Sequence, residues 1–402
     1  MKYRLKELFT DKLSGEWGDE GSSQAGVKVI RTTNFTNSGK LKLENLAYRQ
    51  IDNRKVITKR LKHGDIIIEK SGGSPSQPVG RVVFFDIDTD ETFLCNNFTA
   101  ILRPDRAKVF PMYLFYRLFD NHKTGKTLRY QNKTTGIINL KLDHYLNSKI
   151  EIPERVEDQI RIATILSKAE SLIAQRKESL RLLDELLKST FLEMCGDPVR
   201  NEKGWKKKKL GEIIQEFKYG TNVISVDKPS ENTIAILRIP NIINESITYE
   251  GLKYSILEER EKERVRLKKG DLLFVRSNGN PNYIGRCAVF NDDIVCGYAS
   301  YLIRARLREG VLITPFFLKA ILSFPRYRNV IVSKAKTTAG NYNINIESLK
   351  SLIIIAPPPK LQTQFTRIVE KVEALKAHYQ DSLKKLENLY GSLSQRAFKG
   401  EL

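Results

Sequence analysis

The sequence predicts an α+β fold with two similar globular domains, separated by two long antiparallel helices that form a coiled coil with pseudo-two-fold symmetry. Three observations support this prediction. Motifs from the first half of the chain recur about 206 residues later, which indicates an internal repeat. Each repeat alternates short β-rich segments with turns. Each repeat is also followed by a stretch in which apolar residues have the spacing of a helix. The predicted boundaries are 1–153 for the first domain, 154–196 for the first long helix, 197–357 for the second domain and 358–402 for the second long helix.

Several short motifs carry the internal repeat, and they occur in the same order. Arg31 returns as Arg238 and Gly64 as Gly270, at offsets of 207 and 206 residues. At 402 residues the chain is longer than one core usually allows, so two domains of ~150 residues fit. The paired motifs are Ile30-Arg31-Thr32-Thr33-Asn34 with Leu237-Arg238-Ile239-Pro240-Asn241, Leu61-Lys62-His63-Gly64-Asp65-Ile66-Ile67 with Leu267-Lys268-Lys269-Gly270-Asp271-Leu272-Leu273, Ser71-Gly72-Gly73-Ser74-Pro75 with Ser277-Asn278-Gly279-Asn280-Pro281, Gly80-Arg81 with Gly285-Arg286, and Thr134-Thr135-Gly136-Ile137-Ile138-Asn139 with Thr337-Thr338-Ala339 and Asn343-Ile344-Asn345.

Short strands and helices are predicted within each repeat. Runs rich in β-branched and aromatic residues, such as 65–68, 81–85 and 98–102, alternate with clusters of Gly, Pro and Asn. Pro111 and Pro315 each stand at the first turn of a predicted helix. The Gly-Asp pairs that precede the strands at 66 and 272 are assigned to turns.

The two long helices are predicted from apolar residues at a spacing of three and four. The first begins after Pro153 and stops at Gly196, and the second begins after Pro357-Pro358-Pro359 and stops at Gly400. A helix of about 40 residues is ~60 Å long, and a single apolar seam requires a partner helix. The other helix of the same chain is the nearest partner. The seam residues are Ile162, Leu166, Ala169, Ile173, Leu180, Leu183, Leu187 and Met194, with Arg176 and Thr190 as polar members, and Phe365, Val369, Val372, Tyr379, Leu383, Leu386, Tyr390, Leu393 and Ala397, with Lys376 as the polar member.

The charge of the chain is typical of a nucleic-acid-binding protein. There are 68 Lys and Arg against 47 Asp and Glu, which gives a formal charge of +21. A protein that binds a membrane surface can carry the same kind of charge. However, no run of apolar residues approaches 18, and no signal-peptide core follows Met1. We therefore interpret the chain as cytoplasmic and without a membrane partner.

The cysteines and histidines do not indicate a metal site. Cys95, Cys195, Cys287 and Cys296 lack CxxC spacing, and the four histidines show neither HxxxH nor HExxH. Buried free thiols are the expected state of the cysteines.

The motifs together resemble the specificity subunit of type I restriction-modification systems. The resemblance rests on the paired Gly-Asp-Ile-Ile and Gly-Asp-Leu-Leu strands, the Thr134–Asn139 loop, the proline before each long helix, and the closing segment from Leu393 to Leu402. It extends over essentially the whole chain. One departure is Asn341-Tyr342-Asn343, which replaces the simpler loop of the first repeat and leaves its geometry open.

This resemblance implies a non-catalytic subunit with two target-recognition domains, each of which reads one half of a split target in double-stranded DNA. The helices would set the gap between the half-sites and dock two copies of a methyltransferase subunit, and an endonuclease-translocase subunit would join them. No cofactor is expected in this chain. S-adenosylmethionine, and ATP with Mg²⁺, are implied only for the partner subunits.

Side chains that read base edges must be polar and lie on loops that approach DNA closely, and glycine permits that approach. Segments 70–77 and 276–283 have this composition, follow a predicted buried strand and differ between the repeats. For each of them, an ordinary Gly/Pro turn is the alternative. The candidate DNA-binding residues are Arg31, Asn34, Lys70, Ser71, Gly72, Ser74, Gln77, Arg81, Thr134, Thr135, Asn139, Arg238, Asn241, Arg276, Ser277, Asn278, Asn280, Tyr283, Arg286, Lys336, Thr337, Thr338 and Asn341.

Some of these candidates have a second interpretation. Arg31 with Asn34, and Arg238 with Asn241, are either base readers or internal pairs at strand ends. The threonine-rich segments 134–135 and 336–338 contact phosphates or bases, or they cap their own loops. The lysine run 206–209 is either solvated surface or a phosphate contact.

Two similarities to catalytic motifs do not extend to both repeats. Asn280-Pro281-Asn282-Tyr283 is similar to the Asn-Pro-Pro-Tyr motif of amino-methyltransferases, but the first repeat has Ser74-Pro75-Ser76-Gln77 and no glycine-rich cofactor loop precedes either segment. A nuclease requires acidic metal ligands beside a lysine, and Glu69-Lys70 is replaced by Val275-Arg276. The sequence thus predicts a DNA-binding subunit that is not an enzyme. The alternative is a coiled-coil scaffold that joins proteins without sequence-specific DNA binding.

Overall fold

The computed structural model describes residues 1–23, 25–74, 77–134, 137–338 and 340–402. The chain forms two compact units. Unit 1 consists of Met1–Arg176 and Ser382–Leu402, and unit 2 consists of Lys177–Asp381. Each unit therefore contains one repeat together with a part of each long helix.

Unit 1 is an α+β body made of short strands and short helices. Its strands are β1 (Lys2–Arg4), β2 (Phe9–Ser14), β3 (Asp19–Glu20), β4 (Val27–Ile30), β5 (Ala47–Gln50), β6 (Ile66–Glu69), β7 (Ser71–Gly73), β8 (Val82–Phe84), β9 (Phe93–Cys95), β10 (Thr99–Pro104), β11 (Gln131–Thr134), β12 (Ile137–Leu140) and β13 (Lys149–Glu151). Its short helices are α1 (Asn53–Lys59), α2 (Pro111–Lys123) and α3 (Leu142–Leu146), and the long helix α4 (Val156–Cys195) begins here.

The centre of unit 1 is the antiparallel sheet β2-β10-β6-β8. Successive side chains of a strand point to opposite faces, and β6 is buried on both: Ile66 and Ile68 belong to one apolar cluster and Ile67 to another. Helix α2 contributes to the first cluster, and its Pro111 stands at the first helical position as predicted. The remaining sheets are β3-β5-β4-β9, β11-β12-β7 and β1-β13.

Unit 2 is built from the same kinds of elements. Its strands are β14 (Lys206–Lys209), β15 (Ile214–Tyr219), β16 (Thr233–Leu237), β17 (Lys253–Ile256), β18 (Asp271–Val275), β19 (Ser277–Asn278), β20 (Cys287–Phe290), β21 (Cys296–Tyr298), β22 (Leu302–Leu307), β23 (Lys336–Thr338), β24 (Asn341–Asn343) and β25 (Ile353–Ala356). Its helices are α5 (Leu210–Ile213), α6 (Ile239–Ile242), α7 (Glu259–Val265), α8 (Pro315–Ser323), α9 (Pro325–Ser333), α10 (Ile346–Lys350) and the long helix α11 (Pro359–Lys399), which ends in unit 1.

The strand order of unit 2 repeats that of unit 1. Its sheets are β15-β22-β18-β20, β17-β16-β21, β19-β24-β23 and β14-β25. The central strand β18 is again buried on both faces, because Leu272 and Phe274 belong to one apolar cluster while Leu273 and Val275 belong to another. The lysine run forms β14, whose four side chains are exposed while its backbone pairs with β25. The predicted duplication is thus confirmed at the level of topology and of buried layers.

An aspartate–arginine pair fixes the start of the central strand in both units. Asp65 accepts two hydrogen bonds of 2.9 Å from Arg103, and a backbone amide three residues earlier donates a third at 2.8 Å. Asp271 is held in the same way, by Arg306 at 2.7 Å twice and by a backbone amide at 2.8 Å. Bidentate, charge-assisted pairs of this kind are among the stronger polar contacts in proteins. The predicted turns before both strands are therefore confirmed.

Both long helices begin after a proline and end at a glycine, as predicted. Near the start of α4 the buried Gln159 donates to the carbonyl of Pro153 at 2.9 Å, and near the start of α11 the buried Gln362 donates to the carbonyl of Pro357 at 2.7 Å. Each helix is followed by a glycine with positive φ, at +76° and +79°. Within the described residues, none of the helices combines the length and the apolar composition that a membrane crossing requires.

In unit 1 the first part of α4 and the last part of α11 run antiparallel. Glu170 of α4 accepts hydrogen bonds from the hydroxyl of Tyr116 at 3.0 Å and from the hydroxyl of Tyr390 at 3.2 Å. Further along, Ala397 of α11 joins the apolar cluster that contains Ile162 of α4. Burial raises the pKa of Glu170 above its usual value, although both hydroxyl donors and Lys40 act in the opposite direction.

In unit 2 the second part of α4 packs against the first part of α11, also antiparallel. The rings of Phe191 and Phe365 lie 5.3 Å apart between centroids. Lys376, the polar member of the predicted seam, bonds to Asp184 at 2.8 Å. Burial acts to lower the pKa of Lys376, but Asp184 and Glu373 outweigh it, so that the pKa is raised. The seam accepts a lysine because α4 supplies its counter-charge, and the predicted antiparallel helix pair is confirmed.

The four cysteines are buried free thiols, as predicted. Burial raises the pKa of Cys95 and Cys195 to about 11, and that of Cys287 and Cys296 to about 12. Because the thiolate is the reactive form, these side chains are inert at neutral pH.

Asp271→Ala is expected to lower the free energy of unfolding by about 3–5 kcal/mol, because it leaves the guanidinium of Arg306 without its carboxylate in a largely buried setting. Asp293→Ala is the matched control, since Asp293 is 90% exposed and pairs with a surface lysine. Its effect should stay within ~0.5 kcal/mol. Urea unfolding of the full chain measures both values. Equal effects of the two substitutions would contradict the role assigned to Asp271.

Glu170→Gln is expected to change how stability depends on pH. Because the pKa of Glu170 is raised in the folded chain, its contribution is fully present below the unfolded-state pKa and is lost as pH rises through the folded one. The wild type should therefore gain stability over Glu170→Gln as pH falls from neutral towards the ordinary pKa of a glutamate. Urea unfolding over this range is the measurement, with the exposed Glu185→Gln on the same helix as control. Parallel pH curves for wild type and Glu170→Gln would refute the assignment.

Candidate nucleic-acid interface

In unit 1 the small sheet β11-β12-β7 brings two predicted segments together. Strand β7 comes one residue after the buried strand β6, and its Ser71 pairs with Asn139 of β12. The hydroxyl of Ser71 also bonds to the amide oxygen of Asn139 at 2.5 Å. Thr134 ends the neighbouring strand β11, whereas Thr135 lies outside the described residues. The segment after β6 and the two strands that flank the threonine-rich loop are therefore parts of one sheet.

The other described residues of segment 70–77 lie in β7 or close to it in the chain. The ammonium of Lys70 donates to the hydroxyl of Ser14 at 2.5 Å, and burial lowers the pKa of Lys70, with a further contribution from Lys59. Gly72 is exposed with φ of +96°, a conformation that glycine adopts without strain. Ser74 forms an isolated antiparallel bridge with Gln77, whose side chain is exposed.

In unit 2 the sheet β19-β24-β23 gathers the equivalent residues. Ser277 pairs with Asn343 as Ser71 pairs with Asn139 in unit 1. Asn341-Tyr342-Asn343 forms β24, so the departure noted in the sequence keeps the backbone pairing of the first repeat. Strand β23 adds Lys336, Thr337 and Thr338 beside it. Lys336, Thr337 and Asn341 are exposed.

Two hydrogen bonds between residues close in sequence, each accepted by an asparagine side chain, shape the loop 278–283. The Oδ1 atom of Asn278 accepts from the backbone amide of Asn280 at 2.9 Å, and the Oδ1 atom of Asn280 accepts from the amide of Asn282 at 3.0 Å. The loop ends at Tyr283, whose ring lies 4.7 Å from the guanidinium of Arg286. These bonds hold the exposed Asn280 in a defined position at the surface.

Arg276 stands where unit 1 has Lys70. Its guanidinium lies 4.6 Å from the ring centroid of Tyr219, and its Nη1 atom donates to the carbonyl of Ser300 at 3.2 Å. The cation in each unit is thus anchored at the edge of the central sheet, but its chemistry differs. Lysine is a point charge, whereas arginine has a planar fork of donors.

Asn34 and Asn241 have the internal role that the sequence left open. They are 3% and 0% exposed, and their Oδ1 atoms accept from the backbone amides of Arg31 and Arg238 at 2.9 and 3.0 Å. Each Nδ2 atom donates to two backbone carbonyls at 3.0–3.1 Å. Burial and these bonds exclude both asparagines from base contact. Arg31 and Arg238 each donate to a backbone carbonyl, at 2.6 and 2.8 Å, and stay partly exposed.

Arg81 and Arg286 occupy equivalent positions with different partners. Arg81 forms two hydrogen bonds of 2.8 Å with the buried carboxylate of Glu69. Arg286 donates instead to two backbone carbonyls at 3.0 and 2.8 Å, because Val275 stands where unit 1 has Glu69. The ion pair with Glu69 gives Arg81 an internal role, so Arg81 is a weaker candidate for DNA contact. Arg286 has Val275 in place of that carboxylate, so its charge is not neutralised in the same way.

Sequence reasoning did not single out two exposed aromatic residues beside these segments. Phe98 and Tyr301 each come directly before a central strand, β10 and β22. Their backbone carbonyls accept from the amides of Lys70 and Arg276, both at 2.9 Å. The signal was present in the repeat, because an aromatic residue precedes the strand in both copies.

Comparison with known proteins identifies the family. A family model for the type I restriction modification DNA specificity domain matches residues 1–182 and 202–388. The chain belongs to this family. It is similar to the EcoKI specificity subunit of Escherichia coli strain K12, with 27% identity over 407 residues that cover 94% of this chain and 82% of that protein. It is also similar to the StySPI specificity subunit of Salmonella potsdam, with 26% identity over 398 residues and the same coverages.

A solved structure supports the fold of this specificity-family member. The crystal structure of the type I restriction-modification S subunit from M. genitalium matches with a TM-score of 0.59 at 15% identity, over 99% of this chain and 96% of that one. The match confirms the predicted fold class. The resemblance inferred from the paired motifs is confirmed by the family model, which matches both repeats.

Asn241→Ala is expected to lower the free energy of unfolding by about 1–3 kcal/mol, because it removes a buried side chain that accepts from one backbone amide and donates to two backbone carbonyls. Thr337→Ala, at an exposed position of the same unit, is the control and should change it by less than ~0.5 kcal/mol. Chemical unfolding followed by circular dichroism gives both numbers. An Asn241→Ala variant as stable as wild type would restore the asparagine to the surface candidates.

Proposed function

We propose that this chain is the DNA-reading subunit of a type I restriction-modification complex and that each unit reads one half of a bipartite, asymmetric target. One observation carries the proposal. Each unit has an equivalent small three-stranded sheet, β11-β12-β7 or β19-β24-β23, that follows its doubly buried strand and presents polar side chains. Membership of the specificity family supports the same function.

The two small sheets differ in the side chains that they present. Lys70, Gly72 and Gln77 of unit 1 correspond to Arg276, Asn278 and Tyr283 of unit 2. Arginine grips guanine through two hydrogen bonds, and asparagine and glutamine do the same for adenine. Equal backbone positions with unequal hydrogen-bonding groups favour two different half-sites.

Phosphate contacts would supply the affinity. The formal charge of +21 and the exposed Lys336, together with the lysines of β14, provide cations for the DNA backbone. Binding of this kind releases counter-ions and weakens as salt is raised. The bases would then be selected by the few side chains at the two small sheets.

We assign catalysis to partner subunits: two copies of a methyltransferase subunit that uses S-adenosylmethionine, and an endonuclease-translocase subunit that uses ATP with Mg²⁺. The motifs in this chain that are similar to catalytic ones have other roles. Glu69 is tied to Arg81, and Asn280 shapes its own loop. We place the complex in the cytoplasm, where the DNA is accessible.

The test is a map of methylated adenines in host DNA with and without this gene. We expect a split motif whose methylation requires the gene. Arg276→Ala should relax that motif in one half, and Lys70→Ala in the other, because each cation lies in a different unit. Lys149→Ala, at an exposed position of strand β13, is the control and should leave the motif unchanged.

A scaffold without sequence-specific binding would leave no gene-dependent split motif, and that outcome would refute the proposal. A separate experiment tests the assignment of catalysis to the partner subunits. The purified chain, given S-adenosylmethionine or Mg²⁺ without other subunits, should leave DNA unmodified and uncut.

A further inference from the structure

Each unit exposes one large aromatic ring at the same place. Phe98 is 42% exposed and Tyr301 is 61% exposed. Within the described residues neither ring belongs to an apolar core cluster. Exposed aromatic surface is unfavourable in water, so its occurrence at one position of both repeats calls for a physical reason.

The equivalence of the two positions is structural. The residue after each ring begins a central strand and donates its backbone amide to the carbonyl three residues earlier, at 2.9 Å for both Thr99 and Leu302. The carbonyl of Phe98 accepts from the amide of Lys70, and that of Tyr301 accepts from the amide of Arg276. The backbone therefore holds each ring beside the first residue of a candidate reading segment, and these contacts do not involve the ring itself.

A cation accompanies each ring. Lys70 is anchored by Ser14, and Arg276 lies on the ring of Tyr219. Ser14 and Tyr219 are the last residues of β2 and β15, the strands that pair with β10 and β22 in equivalent sheets. Both units thus repeat a constellation of strand end, cation and exposed aromatic ring. A ring next to a fixed cation is suited to a partner that offers anionic and flat apolar groups together, as DNA does.

In unit 1 the position of Gly72 is a second indication that the exposed ring can contact DNA. A Cβ atom at this position would lie 3.3 Å from the ring of Phe98, and the φ of Gly72 is +96°. The ring therefore lies against a backbone that a DNA strand can approach closely. In unit 2 the corresponding residue is Asn278, which lies in the strand that pairs with β24.

We infer that Phe98 and Tyr301 are a matched pair of DNA-contacting rings, each of which packs against a base in one half of the target. This inference deepens the proposed function and rests on it. Aromatic and apolar side chains contact thymine methyl groups or the faces of bases at a disturbed step.

The experiment uses the tagged full chain, purified from its own host with the subunits that accompany it, and selects duplexes from a random-sequence pool. Phe98→Ala should reduce the preference for the chosen base by about tenfold at one position of one half-site, and Tyr301→Ala should do so in the other. Tyr301→Phe should keep the preference, because the ring remains. Ile160→Ala in unit 1 and Leu312→Ala in unit 2 remove other exposed apolar side chains and should leave selection unchanged.

The outcomes separate the two levels of the proposal. If the wild type selects no split motif, the proposed function itself fails. If the wild type selects one and both alanine variants keep its full preference, the rings do not read DNA. Equal losses in both halves, or a Tyr301→Phe variant as impaired as Tyr301→Ala, would also overturn the assignment to ring packing. Unfolding curves that match wild type show that the variants are folded.

Discussion

The burial of one strand on both faces is the constraint on which the rest of each unit depends. Residues 66–68 of β6 and 272–275 of β18 alternate between two apolar clusters, so neither strand can shift by one residue without exchanging its two buried sets. The bidentate pairs Asp65–Arg103 and Asp271–Arg306 fix the start of these strands. The polar segments that follow them are therefore attached to strands whose register is fixed by burial on both faces.

The second theme of the structure is divergence on an unchanged backbone. Ser71 with Asn139, and Ser277 with Asn343, show the same pairing, although the residues around them differ in charge and hydrogen-bonding groups. Loss of the carboxylate of Glu69 at Val275 changes the setting of an arginine without changing the strand that carries it. With a constant backbone, the side chains that one unit presents can change while those of the other unit are preserved.

Much of the fold could be predicted from the sequence because it follows from the spacing of apolar residues and from the prolines and glycines at the ends of elements. The repeat offset, the prolines before α4 and α11 and the glycines after them specified the elements, and the polar Lys376 in the seam has its counter-charge in Asp184. The candidate site was harder to predict. The sequence left Asn34 and Asn241 open between base reading and an internal role, because an amide side chain serves equally well for a base and for a turn, and only burial distinguishes the two.

Other parts of the site depend on tertiary contacts that spacing does not reveal. The sequence pattern does not show that Arg81 forms an ion pair with Glu69, since Glu69 ends β6 and Arg81 directly precedes the neighbouring strand β8. It also does not show that segment 70–77 and the threonine-rich loop share a sheet, because about 60 residues separate them. The run 98–102 predicts a strand that includes Phe98, and nothing in the sequence pattern reveals that the side chains of Phe98 and Tyr301 are exposed.

The division of the chain into units has a consequence for biosynthesis. Unit 2 is one uninterrupted stretch, whereas unit 1 joins the first residues of the chain to the last, with Ala397 in its core and Arg117 donating to the carbonyl of Phe398. Domains usually form in the order in which they leave the ribosome. Here unit 1 lacks Ser382–Leu402 until unit 2 has been translated, so a product that stops before Ser382 leaves the core of unit 1 incomplete even though Met1–Arg176 have been made.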